Sequence, residues 1–127
     1  MSRSKRLGEA GEQAACDFLR ALGWEIVATN FRTRHGEIDI VAVDPAPGPW
    51  STVVVVEVKT CRSGADPARN ITVTKRRQLV RMAKVFEQHE KLVGVTLRFD
   101  VIAIDWSVEP PRILHYVGAF DAAGRLL

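Results

Sequence analysis

Apolar positions change their period several times along the chain, and each change predicts an element. Leu7, Ala10, Ala14, Phe18 and Leu22 recur at steps of three and four, with Ala15 and Leu19 beside them. Leu7 to Leu22 is therefore predicted to be an amphipathic helix ended by Gly23. WEIVATNF (24–31) alternates loosely and GEIDIVAVD (36–44) more clearly, so both are predicted strands. PAPGPW (45–50) suits neither a helix nor a central strand, and Ser51 to Thr60 is the third strand. CRSGADPARN (61–70) is rich in turn formers and is expected to be an exposed, mobile loop. Lys75, Leu79, Met82, Phe86 and Val93 then share one stripe of a second helix, with Thr74 as its N-cap and Gly94 as its end. LRFDVIAIDW (97–106) is a fourth strand, Pro110 and Pro111 break it, and RILHYVGAF (112–120) is a short fifth.

The order helix-strand-strand-strand-helix-strand-strand predicts an α/β protein with a mixed β-sheet and helices packed on it. The short loop after the second strand makes strands two and three antiparallel, while the second helix permits a parallel crossover between strands three and four. With 127 residues, 46% hydrophobic and 26% charged, the chain matches a single domain with one core. Two cysteines, Cys16 and Cys61, supply neither a disulfide framework nor a metal-binding spacing. No apolar run approaches the roughly 18–20 residues that span a bilayer, and MSRSKRLGEAGE lacks the apolar stretch of a signal peptide. A soluble, cytoplasmic protein with no membrane partner is expected. The net charge of +3 leans mildly toward a polyanionic partner.

The third strand, VVVVEVKT (53–60), carries the chemistry. Its four valines suit a strand buried on both faces, yet Glu57 and Lys59 occupy its end. Alternation puts Val53, Val55, Glu57 and Lys59 on one face and predicts the same for Glu37, Asp39, Val41 and Val43 on the preceding strand. Antiparallel pairing with Val43 opposite either Val53 or Val55 keeps apolar against apolar. In both registers Asp39, Glu57 and Lys59 converge at one end of the sheet. Carboxylates placed opposite each other repel, so a cation is expected between them: Lys59, a divalent metal, or both. Glu12, seven residues before Leu19, lies at the edge of the first helix's apolar stripe and can reach the same cluster. Such hard oxygen ligands suit Mg²⁺. The competing reading is a structural ion-pair cluster on a half-exposed sheet end.

Lys75, Arg76 and Arg77 fall in the first turn of the second helix, where the helix dipole disfavours cations by about 0.3–1 kcal/mol each. Phosphate groups at that terminus would be favoured, and Lys75, four residues before Leu79, can point toward Glu57. Arg3, Lys5 and Arg6 before the first helix, and Arg32, Arg34 and His35 just ahead of Asp39, could line a nucleic-acid groove, whereas Asp100 pairs more naturally with Arg98 as a structural element. Trp24, Trp50 and Trp106 are expected to be core or strand-end residues.

GEIDIVA followed by VVVVEVKT, with GEAGEQAACDFL before and TKRRQLVRMA after, resembles the YraN-like family of small uncharacterised bacterial proteins over nearly the whole chain. The triad itself resembles the PD-(D/E)xK nuclease signature, with Asp39 as the first acid and Glu57-Val58-Lys59 as E-x-K. The resemblance implies a restriction-endonuclease-like fold close to Holliday-junction resolvases, and Mg²⁺ or Mn²⁺ as the cofactor. Ile38 replaces the proline of the signature, and Cys61 interrupts the family's VEVKTR before Arg62.

Together these readings predict a metal-dependent endonuclease acting on nucleic acid, with DNA favoured over RNA and branched or flapped DNA among the candidate substrates. Asp39, Glu57 and Glu12 would be the metal ligands, and Lys59 would position water. Lys75, Arg76, Arg34 and Arg62 would hold the nucleic-acid backbone. A non-catalytic nucleic-acid-binding module with the same fold is the alternative, and an interaction protein with a structural charge cluster is a third. The apolar RILHYVGAF edge leaves a homodimer open.

Overall fold

In the computed structural model, which describes residues 3–46, 52–62 and 71–127, seven elements follow the predicted order. Helix α1 (Arg3–Ala21) leads into β1 (Glu25–Thr33), β2 (Gly36–Asp44) and β3 (Thr52–Cys61). Helix α2 (Val73–His89), β4 (Thr96–Asp105) and β5 (Arg112–Phe120) complete it. The strands form one sheet in the order β1-β2-β3-β4-β5, with β3 and β4 parallel and the other neighbours antiparallel. The predicted loop of residues 61–70 lies largely outside the described residues, as does Trp50.

A helix covers each face of the sheet, which is why β3 carries an unbroken valine run. Val54 and Val56 pack with Ala15 and Leu19 of α1 and with Ile102 and Ile104 of β4. Val53 and Val55 pack with Leu79, Met82 and Phe86 of α2 and with Phe99 and Val101. A strand buried on both sides has no polar face to alternate with. Gly11 sets how closely α1 approaches: a Cβ there would collide with the methyl group of Thr60.

The second helix begins and ends earlier than its sequence suggests. Thr72, not Thr74, is the N-cap, its hydroxyl accepting the Lys75 N–H at 3.1 Å. The helix finishes at His89, so Gly94 turns the chain into β4 instead of capping α2, and Val93 leaves the apolar stripe and is 92% exposed. On the opposite side of the sheet β5 is an edge strand with Leu114, Tyr116 and Val117 exposed, and Leu126 bridges back to Phe120.

The pairing of β2 with β3 adopts one of the two expected registers: Val43 opposes Val53 and Ile40 opposes Val56. Strict alternation along β2 fails at Asp39, however. Ile38 and Val41, three residues apart, pack into the same cluster under α2, while Ile40 and Ala42 pack under α1. On β1, Asn30 stands between the residues that pair with Ile38 and Ile40, and its φ is +53°. A left-handed residue rotates the strand locally. Phe31 and Ala28, three apart on β1, consequently pack against the same cluster. The expectation that Glu37, Asp39, Val41 and Val43 share one regular face is thus corrected: Asp39 occupies a kink between the two helical layers.

Candidate active site

Because β2 runs against β3, the start of β2 and the end of β3 lie at the same end of the sheet. The C-terminal ends of the parallel pair β3 and β4 also lie there, the usual place for a site in sheets with helical crossovers. The first turn of α2 reaches this end through Lys75, and Gly11 of α1 reaches it through Thr60.

Glu57 is at the centre and is only 5% exposed. Its Oε1 is 3.8 Å from Lys59 Nζ and its Oε2 is 3.9 Å from Lys75 Nζ, both beyond hydrogen-bonding distance. Oε2 has no hydrogen-bond partner among the described residues. Burial, and then the charge of Asp39, push the Glu57 carboxyl up to about 7, against the partial pull of the two lysines. Asp39 is also held above its ordinary value, first by burial, although its Oδ2 accepts the Val58 N–H at 2.8 Å. Glu12 approaches from α1, and its carboxyl is raised by burial and by Asp39 and Glu37. Glu37 itself is more exposed and pairs with Arg32 at 2.8 Å.

A second buried acid shows what a satisfied carboxylate looks like in this fold. Asp100 is fully buried and accepts from Arg98 Nε at 2.9 Å, Arg98 Nη2 at 3.0 Å and the Gly118 N–H at 2.9 Å, and it contacts His115 Nε2 at 2.8 Å. Burial pushes its carboxyl up, but these bonds outweigh the push and leave it below its ordinary value. Arg98 also bonds Asp44 at 2.7 Å and lies over the Trp24 ring, so Asp100 is structural, as its spacing from Arg98 suggests. Both oxygens of Asp100 are paired within the protein. Glu57 is buried to nearly the same degree without that compensation.

Lys59, Lys75 and the acids Asp39, Glu57 and Glu12 are therefore brought together from four elements. The remaining basic candidates separate. Arg76 is buried: its Nε donates to Gly124 O at 2.7 Å and its Nη1 to Ile71 O at 2.6 Å. It ties the start of α2 to the C-terminal turn and cannot serve as the phosphate contact expected of it. Successive helix positions differ by about 100°, so adjacent Lys75 and Arg76 face different neighbours. Arg34 is exposed on the β1–β2 turn, 3.4 Å from His35. Arg62, just beyond β3, lines a groove with residues of α1, away from Lys75.

Lys75 also borders an open cleft of about 450 Å³ lined by His35, Thr74, Arg77, Gln78 and Arg81. Gln78 Nε2 donates to His35 O at 3.2 Å, joining the β1–β2 turn to α2. Arg81 and Gln78 were not evident as cleft residues from sequence, although Arg77 and Arg81 have the four-residue spacing that places side chains together on a helix. Among the described residues no three of His, Cys, Asp and Glu gather closely enough to cage a metal unaided. The donor set fits Mg²⁺ or Mn²⁺ all the same. Such an ion commonly takes one or two carboxylates and completes its shell with water and phosphate oxygens, and Glu57 Oε2 lacks a hydrogen-bond donor among the described residues.

Residues 11–104 match the model of the uncharacterised protein family UPF0102. A UPF0102 protein of Rhodopirellula baltica is 36% identical over 129 aligned positions, covering 98% of this chain and 75% of the relative. Those of Caldicellulosiruptor saccharolyticus and Geotalea daltonii are 41% and 42% identical, covering 83% and 94% of this chain and 86% and 93% of theirs. Among the described residues, no helix is long and apolar enough to cross a membrane.

Proposed function

The chain belongs to UPF0102, the family to which the YraN-like resemblance pointed, and on that premise we propose that it is a metal-dependent nuclease hydrolysing phosphodiester bonds in nucleic acid, with DNA the expected polymer. The family name carries no activity, so the reading rests on the site. The observation that carries it is the buried Glu57, raised to about 7 next to Asp39 and placed between two lysines, with one oxygen that has no hydrogen-bond donor among the described residues. A charge held this poorly by the protein alone matches a site completed by a cation.

Asp39 and Glu57 would hold Mg²⁺ or Mn²⁺, with Glu12 reaching in from α1 and the Val58 carbonyl as a further oxygen. When bound, such an ion stabilises charge on a phosphoryl oxygen and makes a bound water more acidic. Lys59, on the same strand as Glu57, orients the attacking water and steadies the negative charge that develops as the bond from phosphorus to the leaving oxygen breaks. Lys75 bridges Glu57 and the cleft, so it can hold the phosphate next to the scissile one. Arg77 and Arg81 extend that contact along the backbone without reading sequence.

One observation favours a binding module that does not cut: Asp39 Oδ2 is already engaged by the Val58 N–H. The two readings part in a labelled panel of linear, flapped and branched DNA, with matching RNA, incubated with Mg²⁺ or Mn²⁺. Cleavage by the wild type that falls roughly 100-fold or more in both Asp39→Ala and Lys59→Ala supports the nuclease. Products that persist in both variants refute it, and salt-sensitive binding without products leaves the module.

A further inference from the structure

On the α1 side of the same sheet end lies a groove of about 470 Å³ lined by Arg6, Leu7, Ala10, Arg62 and Trp106. We infer that it binds an unpaired nucleotide of a single-stranded segment, with the base against the Trp106 indole and the phosphates on Arg6 and Arg62. This rests on the nucleic-acid reading of the site above, though not on cleavage.

The lining selects the ligand. Both arginines are exposed, and neither has an ion pair among the described residues. Among the described residues no acidic side chain lines the groove, so its charge complements an anion. Leu7 and Ala10 provide an apolar wall and Trp106 an aromatic one, which suits a flat, partly apolar ligand better than a bare inorganic anion. A nucleotide combines both halves, and stacking tolerates any base because every base has a π-face. The ring is half-buried, one side packed against the core cluster under α1, and its indole N–H is buried without a hydrogen-bond partner among the described residues.

Its position fits a strand leaving the active site. The Trp106 backbone N–H donates to Cys61 O at 2.8 Å, fastening the end of β4 to the end of β3. Arg62 follows Lys59 by three residues, a distance of roughly 10 Å along an extended chain. The groove faces α1, whereas the cleft containing Lys75, Arg77 and Arg81 is built on α2. Two basic channels on opposite faces of one sheet end can hold two strands that diverge there, which a continuous duplex does not require.

The test is fluorescence anisotropy of a labelled single-stranded DNA oligonucleotide and of the matching duplex, in EDTA so that cleavage is absent. Trp106→Ala should weaken single-strand binding by roughly 5- to 30-fold while leaving duplex binding nearly unchanged. Arg62→Ala, at an exposed position, should weaken single-strand binding and lower its salt dependence by about one charge. Trp106→Phe removes the orphaned N–H and keeps a ring, so it should fold and recover most of the affinity, which guards against misreading a misfolded alanine variant. Wild-type binding that is indifferent to Trp106→Phe, Trp106→Ala and Arg62→Ala, yet sensitive to Arg77→Ala, overturns this inference alone. A wild type that binds neither probe overturns the inference together with the nucleic-acid reading beneath it.

Discussion

Replacing Glu57 with glutamine removes one charge from a buried position while keeping its shape, and the consequence depends on pH. In the unfolded chain this carboxyl releases its proton near its ordinary 4.5, whereas in the folded protein burial and Asp39 hold the proton until about 7. Between those values the folded state binds more protons than the unfolded state, so stability falls as pH rises through the interval. At about 1.4 kcal/mol per pH unit, the loss at pH 8 is on the order of 3 kcal/mol, a substantial part of the total stability of a small domain. The attraction of Lys59 and Lys75 already acts on the folded-state value, so it is not added again. Urea unfolding of wild type and Glu57→Gln, in EDTA at pH 4 and pH 8, measures the effect directly. The two proteins should differ little at pH 4, and the glutamine variant should be the more stable at pH 8. Asp39 titrates in both proteins, so the informative quantity is how their difference changes with pH. A difference that stays the same at both values, or a glutamine variant that is weaker at pH 8, would mean that Glu57 is a satisfied ion pair and that the charge argument for the site is wrong.

The two kinds of arginine in α2 should separate cleanly. Arg76→Met loses two charge-assisted bonds to buried carbonyls and should cost roughly 2–4 kcal/mol in urea unfolding, leaving the salt dependence of DNA binding as it was. Arg77→Ala and Arg81→Ala should instead leave stability within about 0.5 kcal/mol and each reduce the slope of log affinity against log salt by about one. Gly11→Ala forces α1 away from Thr60 and should destabilise by about 1–3 kcal/mol in thermal unfolding; an unchanged midpoint would show that the helix does not depend on this close approach.

The fold was legible because its signals are local and periodic. The valine run implied a strand covered on both faces, the three- and four-residue stripes implied the helices, and the intervening helix permitted the parallel crossover that β3 and β4 adopt. The matched apolar ends of β2 and β3 were enough to bring Asp39 near Glu57 and Lys59, because mispairing would leave valine against acid. Other features depend on which neighbour a side chain meets, and a linear sequence does not contain that information. Arg76 is next to Lys75 in the chain, yet the C-terminal turn claims it as an internal brace. Asp39 departs from regular alternation because Asn30, on a different strand, takes a left-handed conformation opposite it. Trp106 and Arg6 are 100 residues apart and share a groove only after β4 has crossed beside β3 and α1 has packed over both. The amino-acid order by itself determined the order of the elements, the antiparallel run of β2 against β3 and the acids available for chemistry. Tertiary packing alone decided which charges are satisfied by their neighbours and which are desolvated without full compensation, because desolvation depends on everything that surrounds a group in three dimensions.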